Sequence, residues 1–344
     1  MDIRTCAPLD NGMLGRAIPV QFNGAAKGGL TCPAWMTCRD ENGDLIELVA
    51  KVSVNCTRAV TSLAAEAVAA MLAEDLKLPI PQSYVVRLCP KWLEKFGDPA
   101  WVALALRSSP AAFGLRAVGP GYQNWHVGSR LNKRTVQVAA EILVFDVLVG
   151  NSDRRDDNPN CLVRGDDIRI IDHELTFPDD RLRAGWRPVW STRGLETLEI
   201  PGAHIYRRNI DTRKIDWDAI RTRWRNLSDE KLFGYAVQIP PEWAATVPLV
   251  NRAVAWIKDV RDHIDDCIVE IKRTLSRPLG SDPLIQQCSE GRSQRTFDAS
   301  PPTFLARKRS QFGTISVTGA RPHDGLRDLG RTHNSRRLKY SPAK

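Results

Sequence analysis

The stretch that decides the fold runs from Phe145 to Asp172 and reads FDVLVGNSDRRDDNPNCLVRGDDIRIID. Its first residues end a nonpolar segment, Val136–Gly150, that predicts a buried helix. A polar loop rich in Asp, Asn and Arg follows at 151–160. Two short strand-like segments joined by a turn fill 161–172. The stretch therefore predicts a buried helix, a polar loop and a hairpin that brings a carboxylate to the end of a strand.

Three side chains of this stretch have the chemistry and spacing that phosphoryl transfer requires. Asp153 and Asn158 lie five residues apart, as in the D-x-x-x-x-N catalytic loop of protein kinases. In that chemistry one carboxylate takes the proton of the attacking hydroxyl, while a carboxamide oxygen and a second carboxylate hold Mg²⁺. Asp and Asn are also ordinary turn residues, so this spacing alone predicts little. Asp172 strengthens the interpretation because a nonpolar strand seldom ends at a carboxylate that has no partner.

The upstream sequence offers further parts of a nucleotide site. Lys51 lies in an alternating segment, Leu45–Val54, on the face opposite its nonpolar stripe. Glu66 is the single charge in the first three turns of an Ala-rich helix predicted for Thr61–Leu78. A glycine-rich turn, whose backbone could approach phosphate oxygens, contains Gly24, Gly28 and Gly29. Each feature has a plain alternative, because strand lysines and helix glutamates often face water and glycine-rich turns are common.

The order of these five features is the order found in a bilobal kinase, and with it the chain resembles the HipA-like kinase family. The resemblance is to the shorter members without an N-terminal extension, within the protein kinase and phosphatidylinositol kinase-like superfamily. The matching segments are 49–52, 65–66, 72–81, 145–154, Asn158 and 171–173. The likeness covers roughly residues 20–275, and Gly-Asn-Ser-Asp-Arg is its most specific part.

The resemblance implies a phosphotransferase that uses ATP and Mg²⁺ and passes the γ-phosphate to a hydroxyl, with a protein Ser or Thr as the expected acceptor. Lys51 would contact the ATP phosphates, and Glu66 would pair with Lys51. Asp153 would be the catalytic carboxylate, while Asn158 and Asp172 would hold Mg²⁺. The glycine-rich turn would cover the phosphates of the nucleotide.

Two departures from the family pattern leave alternatives open. Arg155 stands where many relatives have His, and Glu174 stands where Gly is frequent. Both departures favour a nucleotide-binding pseudokinase that acts as a scaffold. A phosphoinositide-type lipid kinase is a further alternative, because similar D-R-x-x-x-N and I-D-x-G signatures occur in phosphatidylinositol kinases. The resemblance also implies an adenine site near 101–108.

The patterns and the resemblance together predict an α+β, bilobal kinase-like fold. A small β-rich N-lobe is expected at 1–108 and a mainly helical C-lobe at 109–275, followed by a disordered basic tail at 276–344. The expected N-lobe strands are Ala34–Arg39, Leu45–Val54, Gln82–Leu88 and Trp101–Leu106. In the C-lobe, the spacing of nonpolar residues predicts one long amphipathic helix over Asn251–Leu275.

Charge and cysteine content bear on partners and compartment. The net charge is +9, but residues 276–344 hold 13 basic and 5 acidic residues, so nucleic-acid binding is expected only through the basic tail. Eight cysteines without a C-x-x-C pair argue against structural zinc and favour buried thiols in a cytoplasmic setting. No transmembrane segment is expected, because no nonpolar run reaches the roughly 20 residues that cross a bilayer. The expected partners are a protein substrate and a regulatory, antitoxin-like protein, since some relatives of the family are growth-inhibiting toxins.

Overall fold

Strands with one nonpolar face form a closed five-stranded barrel in the N-terminal half of the protein. The computed structural model describes residues 14–26, 31–96, 98–178 and 187–279. The strands are β1 (Leu14–Ala25), β2 (Ala34–Asp40), β3 (Leu45–Lys51), β4 (Ser83–Arg87), β5 (Ala111–Arg116), β6 (Gln123–Asn124), β7 (Cys161–Arg164) and β8 (Asp167–Ile170). The helices are α1 (Val60–Asp75), α2 (Pro90–Phe96), α3 (Pro99–Leu106), α4 (Thr135–Val149), α5 (Trp217–Arg225), α6 (Asp229–Gln238), α7 (Val247–Asp262) and α8 (Ile264–Leu275). This content confirms the α+β class, while the division into two lobes stays a prediction.

The barrel has the strand order β1-β2-β3-β5-β4 and closes where β4 pairs in parallel with β1. Closure leaves none of the five strands with an unpaired edge. The alternation predicted for β3 is present, because Ile46, Leu48 and Ala50 are buried on one face. The Asn42-Gly43 turn forms between β2 and β3, and Asp40 Oδ1 accepts hydrogen bonds from the main-chain N–H groups of Asn42 and Asp44.

The barrel takes its last strand, β5, from beyond residue 108, where the sequence analysis placed the end of the β-rich part. β5 pairs with β3 on one side and β4 on the other, so the barrel cannot close without it. The difference arises because the sequence of β5 contains Ala and Gly, which give no strong strand pattern.

Helix α1 is buried along almost its entire length. Every residue from Ser62 to Ala73 is buried, because the helix packs against β4, β5, α6 and α7. A helix that is nonpolar all round is expected in such a position. Its Ala side chains allow neighbouring elements to approach closely, which matters for the one charged residue in its centre, Glu66.

The stretch from Phe145 to Asp172 folds as its sequence predicts. Helix α4 is buried and ends at Gly150, which has a left-handed conformation with φ of 71°. The polar loop 151–160 follows, and β7 and β8 then pair as an antiparallel hairpin, extended by β6. The hairpin ends two residues before Asp172.

One predicted strand, Trp101–Leu106, is wrong, since these residues belong to helix α3. Asp98 caps this helix by accepting hydrogen bonds from the main-chain N–H groups of Ala100 and Trp101, and Pro99 is its first residue. The buried Trp101 packs against the barrel side chain Phe22. A short nonpolar run cannot by itself distinguish a strand from a buried helix, and the Asp-Pro capping signal decides here.

The single long helix predicted over Asn251–Leu275 is also wrong. The backbone leaves helical geometry at His263, with φ of −108°, and this residue separates α7 from α8. The buried stripe continues across the break through Val260, Ile264 and Cys267. The nonpolar spacing therefore indicated the correct face of both helices but not the interruption.

The remaining sequence predictions concern composition and the tail. The six described cysteines are free thiols, and four of them are buried. In the part of the chain that the structure describes, no helix is long and nonpolar enough to span a membrane. Of the predicted disordered tail, 276–344, residues 280–344 lie outside the described part of the chain.

Candidate active site

Three predicted site residues from three different elements meet around one ammonium group. Lys51 is the last residue of β3, Glu66 lies in α1 and Asp172 follows β8. Lys51 Nζ lies 3.1 Å from Glu66 Oε2 and 2.8 Å from Asp172 Oδ1. Glu66 is 1% exposed and Lys51 is 9% exposed, whereas the side chain of Asp172 retains 28% exposure. Asp172 is therefore the member of this group that a ligand can reach from solvent.

The surrounding carboxylates keep Lys51 charged although it is buried. Burial by itself would lower the pKa of Lys51, but Glu66, Asp172 and Glu174 reverse that effect and raise it above its ordinary value. Burial would likewise raise the pKa of Asp172, and the Lys51 ammonium instead lowers it. For Glu66, burial outweighs the attraction of Lys51 and raises the pKa to about 7.

The D-x-x-x-x-N loop forms a turn in which both predicted residues are in direct contact. Asn158 Nδ2 donates to Asp153 Oδ2 at 2.9 Å, and Asn160 Nδ2 donates to the same oxygen at 3.2 Å. The main chain of Asp153 is held by Asn151 Oδ1. Because its nitrogen is the donor, the amide of Asn158 keeps its oxygen as a possible metal ligand.

A fully buried guanidinium, that of Arg154, connects this loop to the segment that carries Asp172. Arg154 Nε donates to Asp146 Oδ2 at 2.6 Å, and Nη1 donates to the carbonyl oxygens of Asn160 and Ile171. Its Nη2 lies 2.8 Å from His173 Nε2. Asp153 precedes Arg154 in the sequence, and Asp172 lies between Ile171 and His173, both of which Arg154 contacts. Arg154 and the groups that it contacts are called the brace below. The brace therefore fixes the two predicted carboxylates relative to each other.

The brace has further members that the sequence analysis did not assign. Asp146 accepts hydrogen bonds from Arg154, His204 and Asn151, and it is completely buried. Burial alone would raise the pKa of Asp146, but Arg154 and His204 hold it far below its usual range. The signal for Asp146 was present in the sequence, because a carboxylate inside a nonpolar helix needs a buried partner. His204 had no such signal, since it lies in an irregular segment far along the chain.

The segment after Asp172 is fastened from the side of the barrel. Asp172 has a left-handed backbone with φ of 59°, which is uncommon for residues other than Gly, Asn and Asp. Arg58 donates to the carbonyl oxygens of Glu174 and Thr176. Thr57 Oγ1 donates to Glu174 Oε1 at 3.2 Å. The loop between β3 and α1 therefore holds the chain that follows the predicted metal ligand.

Other predicted site residues are placed less directly. Gly24 lies at the end of β1 with φ of 124°, opposite Trp35 of β2, and β2 separates it from the strand of Lys51. Gly28 and Gly29 lie outside the described residues. The segment expected near the adenine, 101–108, forms most of α3 and the turn after it.

The residues present fit an ATP-bound Mg²⁺ ion. Asp172 offers a partly exposed carboxylate, and Asn158 offers an amide oxygen, which are the hard oxygen ligands that Mg²⁺ prefers. Lys51 offers a charged ammonium that Glu66 orients, which is the usual partner of nucleotide phosphates.

A cavity of about 850 Å³ borders the loop 151–160. Asn151, Ser152 and Arg155 line it on one wall, and Leu195 and Trp256 line it on another. Its described lining contains none of the residues that surround the Lys51 ammonium. The cavity is thus a second space beside the loop 151–160, separate from the lysine cluster.

Comparison with known proteins gives a family match and distant structural likenesses. Residues 21–186 match the family described as HipA-like kinase, whereas no curated protein matches the chain. The Helicobacter pylori proinflammatory kinase CtkA has a TM-score of 0.37 and 11% identity, with 72% of this chain and 96% of that chain covered. The open conformation of CtTel1 has a TM-score of 0.31 and 15% identity, with 71% of this chain and 12% of that chain covered.

Proposed function

Because the chain belongs, through residues 21–186, to the HipA-like kinase family, we propose that it transfers the γ-phosphate of ATP to a hydroxyl acceptor in a Mg²⁺-dependent reaction. The observation that carries the proposal is the contact of Lys51 with both Glu66 and Asp172. Arg154, in the loop that carries Asp153, also donates hydrogen bonds to Asn160 and Ile171, the residues on either side of the β7–β8 hairpin. Family membership supports phosphotransfer in general, and these contacts support the assignment of roles.

The side chains divide the reaction between binding and proton transfer. Lys51, oriented by Glu66, binds phosphate oxygens of the nucleotide. Asp153, which is held by Asn158 and Asn160, accepts the proton of the acceptor hydroxyl as its oxygen bonds to phosphorus and ADP leaves. Asn158 and Asp172 would hold Mg²⁺, which would neutralise the charge of the nucleotide phosphates. Catalysis in this scheme is mainly positioning and charge neutralisation.

The acceptor that we propose is a protein Ser or Thr side chain. The cavity beside Asn151 and Ser152 has room for a peptide side chain next to the loop that carries Asp153. The described lining includes Ser152, the residue before Asp153, and none of the residues of the lysine cluster, so an acceptor bound there would lie beside this loop and outside that cluster.

The test is transfer from γ-labelled ATP with Mg²⁺, measured as labelling of the protein itself or of a cell extract. Asp153→Ala should abolish transfer and leave the fold intact, because it removes only the proton acceptor. Asp218→Asn is the control, since Asp218 lies on α5 with a side chain that is 86% exposed and does not line the cavity. Transfer by Asp153→Ala at the rate of the parent protein would overturn the proposal.

A pseudokinase is the alternative that a specific observation favours. Glu174 replaces a residue that is frequently Gly in relatives, and it adds a carboxylate next to Asp172. Binding of ATP without any Mg²⁺-dependent transfer by the parent protein would favour this alternative. A lipid kinase would instead label phosphoinositide vesicles and lose this activity when residues 280–344 are removed.

A further inference from the structure

Glu174 is a buried carboxylate whose charge is only partly satisfied. The residue is 6% exposed. Its Oε1 accepts a hydrogen bond from Thr57 Oγ1, and the weak thiol donor of Cys56 lies beside the same carboxylate. Its Oε2 is buried and makes no hydrogen bond of normal geometry with the described residues. Burying an ionised oxygen without a partner is costly, so a native protein seldom does it without a reason.

The unpartnered carboxylate belongs to a cluster of three. One carboxylate oxygen each from Glu66, Asp172 and Glu174 lies within 4.8 Å of the others. Lys51 forms ion pairs with Glu66 at 3.1 Å and with Asp172 at 2.8 Å. Among the described residues, no ion pair of 4 Å or less joins Lys51 to Glu174. Arg58 reaches the same segment through main-chain carbonyl oxygens of Glu174 and Thr176.

The charges of the cluster point to the kind of ligand that it takes. The Lys51 ammonium pairs with Glu66, which leaves the carboxylates of Asp172 and Glu174 as the two groups whose charge one divalent cation can balance. Carboxylate oxygens are hard ligands, so they select Mg²⁺ or Mn²⁺ over softer metals. A triphosphate would be repelled by the same two charges unless a cation were present first.

We propose that Glu174 is a metal ligand, which together with Asp172 holds a divalent cation beside the Lys51–Glu66 pair before nucleotide binds. The inference rests on the proposed function, because the cation lies where the nucleotide phosphates are expected. It gives Glu174 a role that the Gly of relatives cannot have. It also makes cation binding independent of ATP, whereas a site made by Asn158 and Asp172 alone has fewer charges to attract the ion.

The competing explanation is that Glu174 only fastens its own segment through Thr57. Two variants separate these roles. Glu174→Gln keeps the size of the side chain and its ability to accept from Thr57, but it removes the charge. Thr57→Val removes the hydrogen bond and leaves the carboxylate.

The experiment is a titration of the full chain with Mn²⁺ in the absence of nucleotide, with free Mn²⁺ followed by electron paramagnetic resonance. The parent protein should bind one Mn²⁺, and Glu174→Gln should bind it at least tenfold more weakly. Thr57→Val should bind within about twofold of the parent, and Asp172→Asn should be as weak as Glu174→Gln. Mn²⁺ binding by Glu174→Gln equal to that of the parent, or an equal loss in Thr57→Val, would overturn the inference.

Folding and function are controlled separately. Circular dichroism melting of each variant shows whether it is folded, and Glu174→Gly, which places the residue of relatives at this position, replaces Glu174→Gln if the latter does not fold. If Asp153→Ala abolishes transfer while Glu174→Gln binds Mn²⁺ as tightly as the parent, the proposed function stands and the inference falls. If the parent transfers no phosphate but binds Mn²⁺ through Glu174, the metal site stands and the proposed function falls.

Discussion

At the scale of single residues, the site depends on one lysine that is both buried and charged. Its ammonium is stabilised by the carboxylates of Glu66 and Asp172, which differ in their access to solvent. Glu66 is held inside α1 and is out of reach of solvent, whereas Asp172 is partly exposed. In the proposed function Glu66 therefore positions Lys51, and Asp172 is the carboxylate proposed to bind the metal ion.

This division of duties predicts that Glu66→Gln lowers phosphate transfer by about a hundredfold, the cost of misplacing a group by about 1 Å. The Lys51–Asp172 contact survives in this variant, so the free energy of unfolding should change by less than about 2 kcal/mol. The measurement is steady-state transfer from labelled ATP together with urea unfolding. Glu74→Gln, on the exposed part of α1, is the control and should behave as the parent. Full activity in Glu66→Gln would contradict the role of Glu66.

At the scale of elements, the end of α4 decides where the loop 151–160, which carries Asp153, begins. Gly150 adopts φ of 71° and caps the helix through hydrogen bonds from its N–H group to carbonyl oxygens of the last turn. A Cβ atom at this position would lie 2.7 Å from Pro178 Cδ. The glycine therefore serves two needs, a left-handed turn and close contact with the chain that follows Asp172.

Gly150→Ala is predicted to lower the free energy of unfolding by at least about 1–2 kcal/mol, from the left-handed backbone alone. The contact with Pro178 adds to this, and transfer activity should fall because the loop carrying Asp153 shifts. Urea unfolding followed by circular dichroism measures the first effect. Gly128→Ala is the control, because a Cβ there meets nothing within 4 Å and its φ is not left-handed. Equal stability of both variants would show that Gly150 is not needed at the cap.

At the scale of the whole molecule, the brace around Arg154 joins α4, the catalytic loop, the hairpin β7–β8 and the irregular segment that contains His204. Burial and the neighbouring Arg154 lower the pKa of His173 from 6.5 to about 3, so His173 is neutral in the folded protein. In the unfolded chain His173 takes up a proton near pH 6.5, and the folded protein does not. The stability tied to His173 is therefore complete above pH 6.5 and is lost as the pH falls from 6.5 toward 3.

The size of this effect can be predicted. Between pH 7 and pH 5 the parent protein should lose about 2 kcal/mol of unfolding free energy through His173. His173→Gln keeps an acceptor for Arg154 and cannot be protonated, so it should lack this part of the pH dependence. Urea unfolding of both proteins at several pH values gives the difference. Identical slopes in the two proteins would show that His173 does not titrate on unfolding.

What the sequence determined by itself is local. The alternation of β3, the Ala-rich helix α1, the buried helix before Gly150 and the spacing of Asp153 from Asn158 all follow from periodicity and turn chemistry. The same local signals were insufficient at Trp101–Leu106, where a nonpolar run fits strand or helix, and at His263, where a periodic stripe crosses a break.

What only the tertiary structure decided is which distant groups meet. The sequence allowed Lys51 to face water, and its contact with Asp172 exists because the segment after β8 lies beside the last residue of β3. The partners of Asp146 and the unpartnered oxygen of Glu174 likewise depend on packing between segments far apart in the chain. The burial and the neighbouring charges that together set the ionisation of these groups arise only when the elements enclose them.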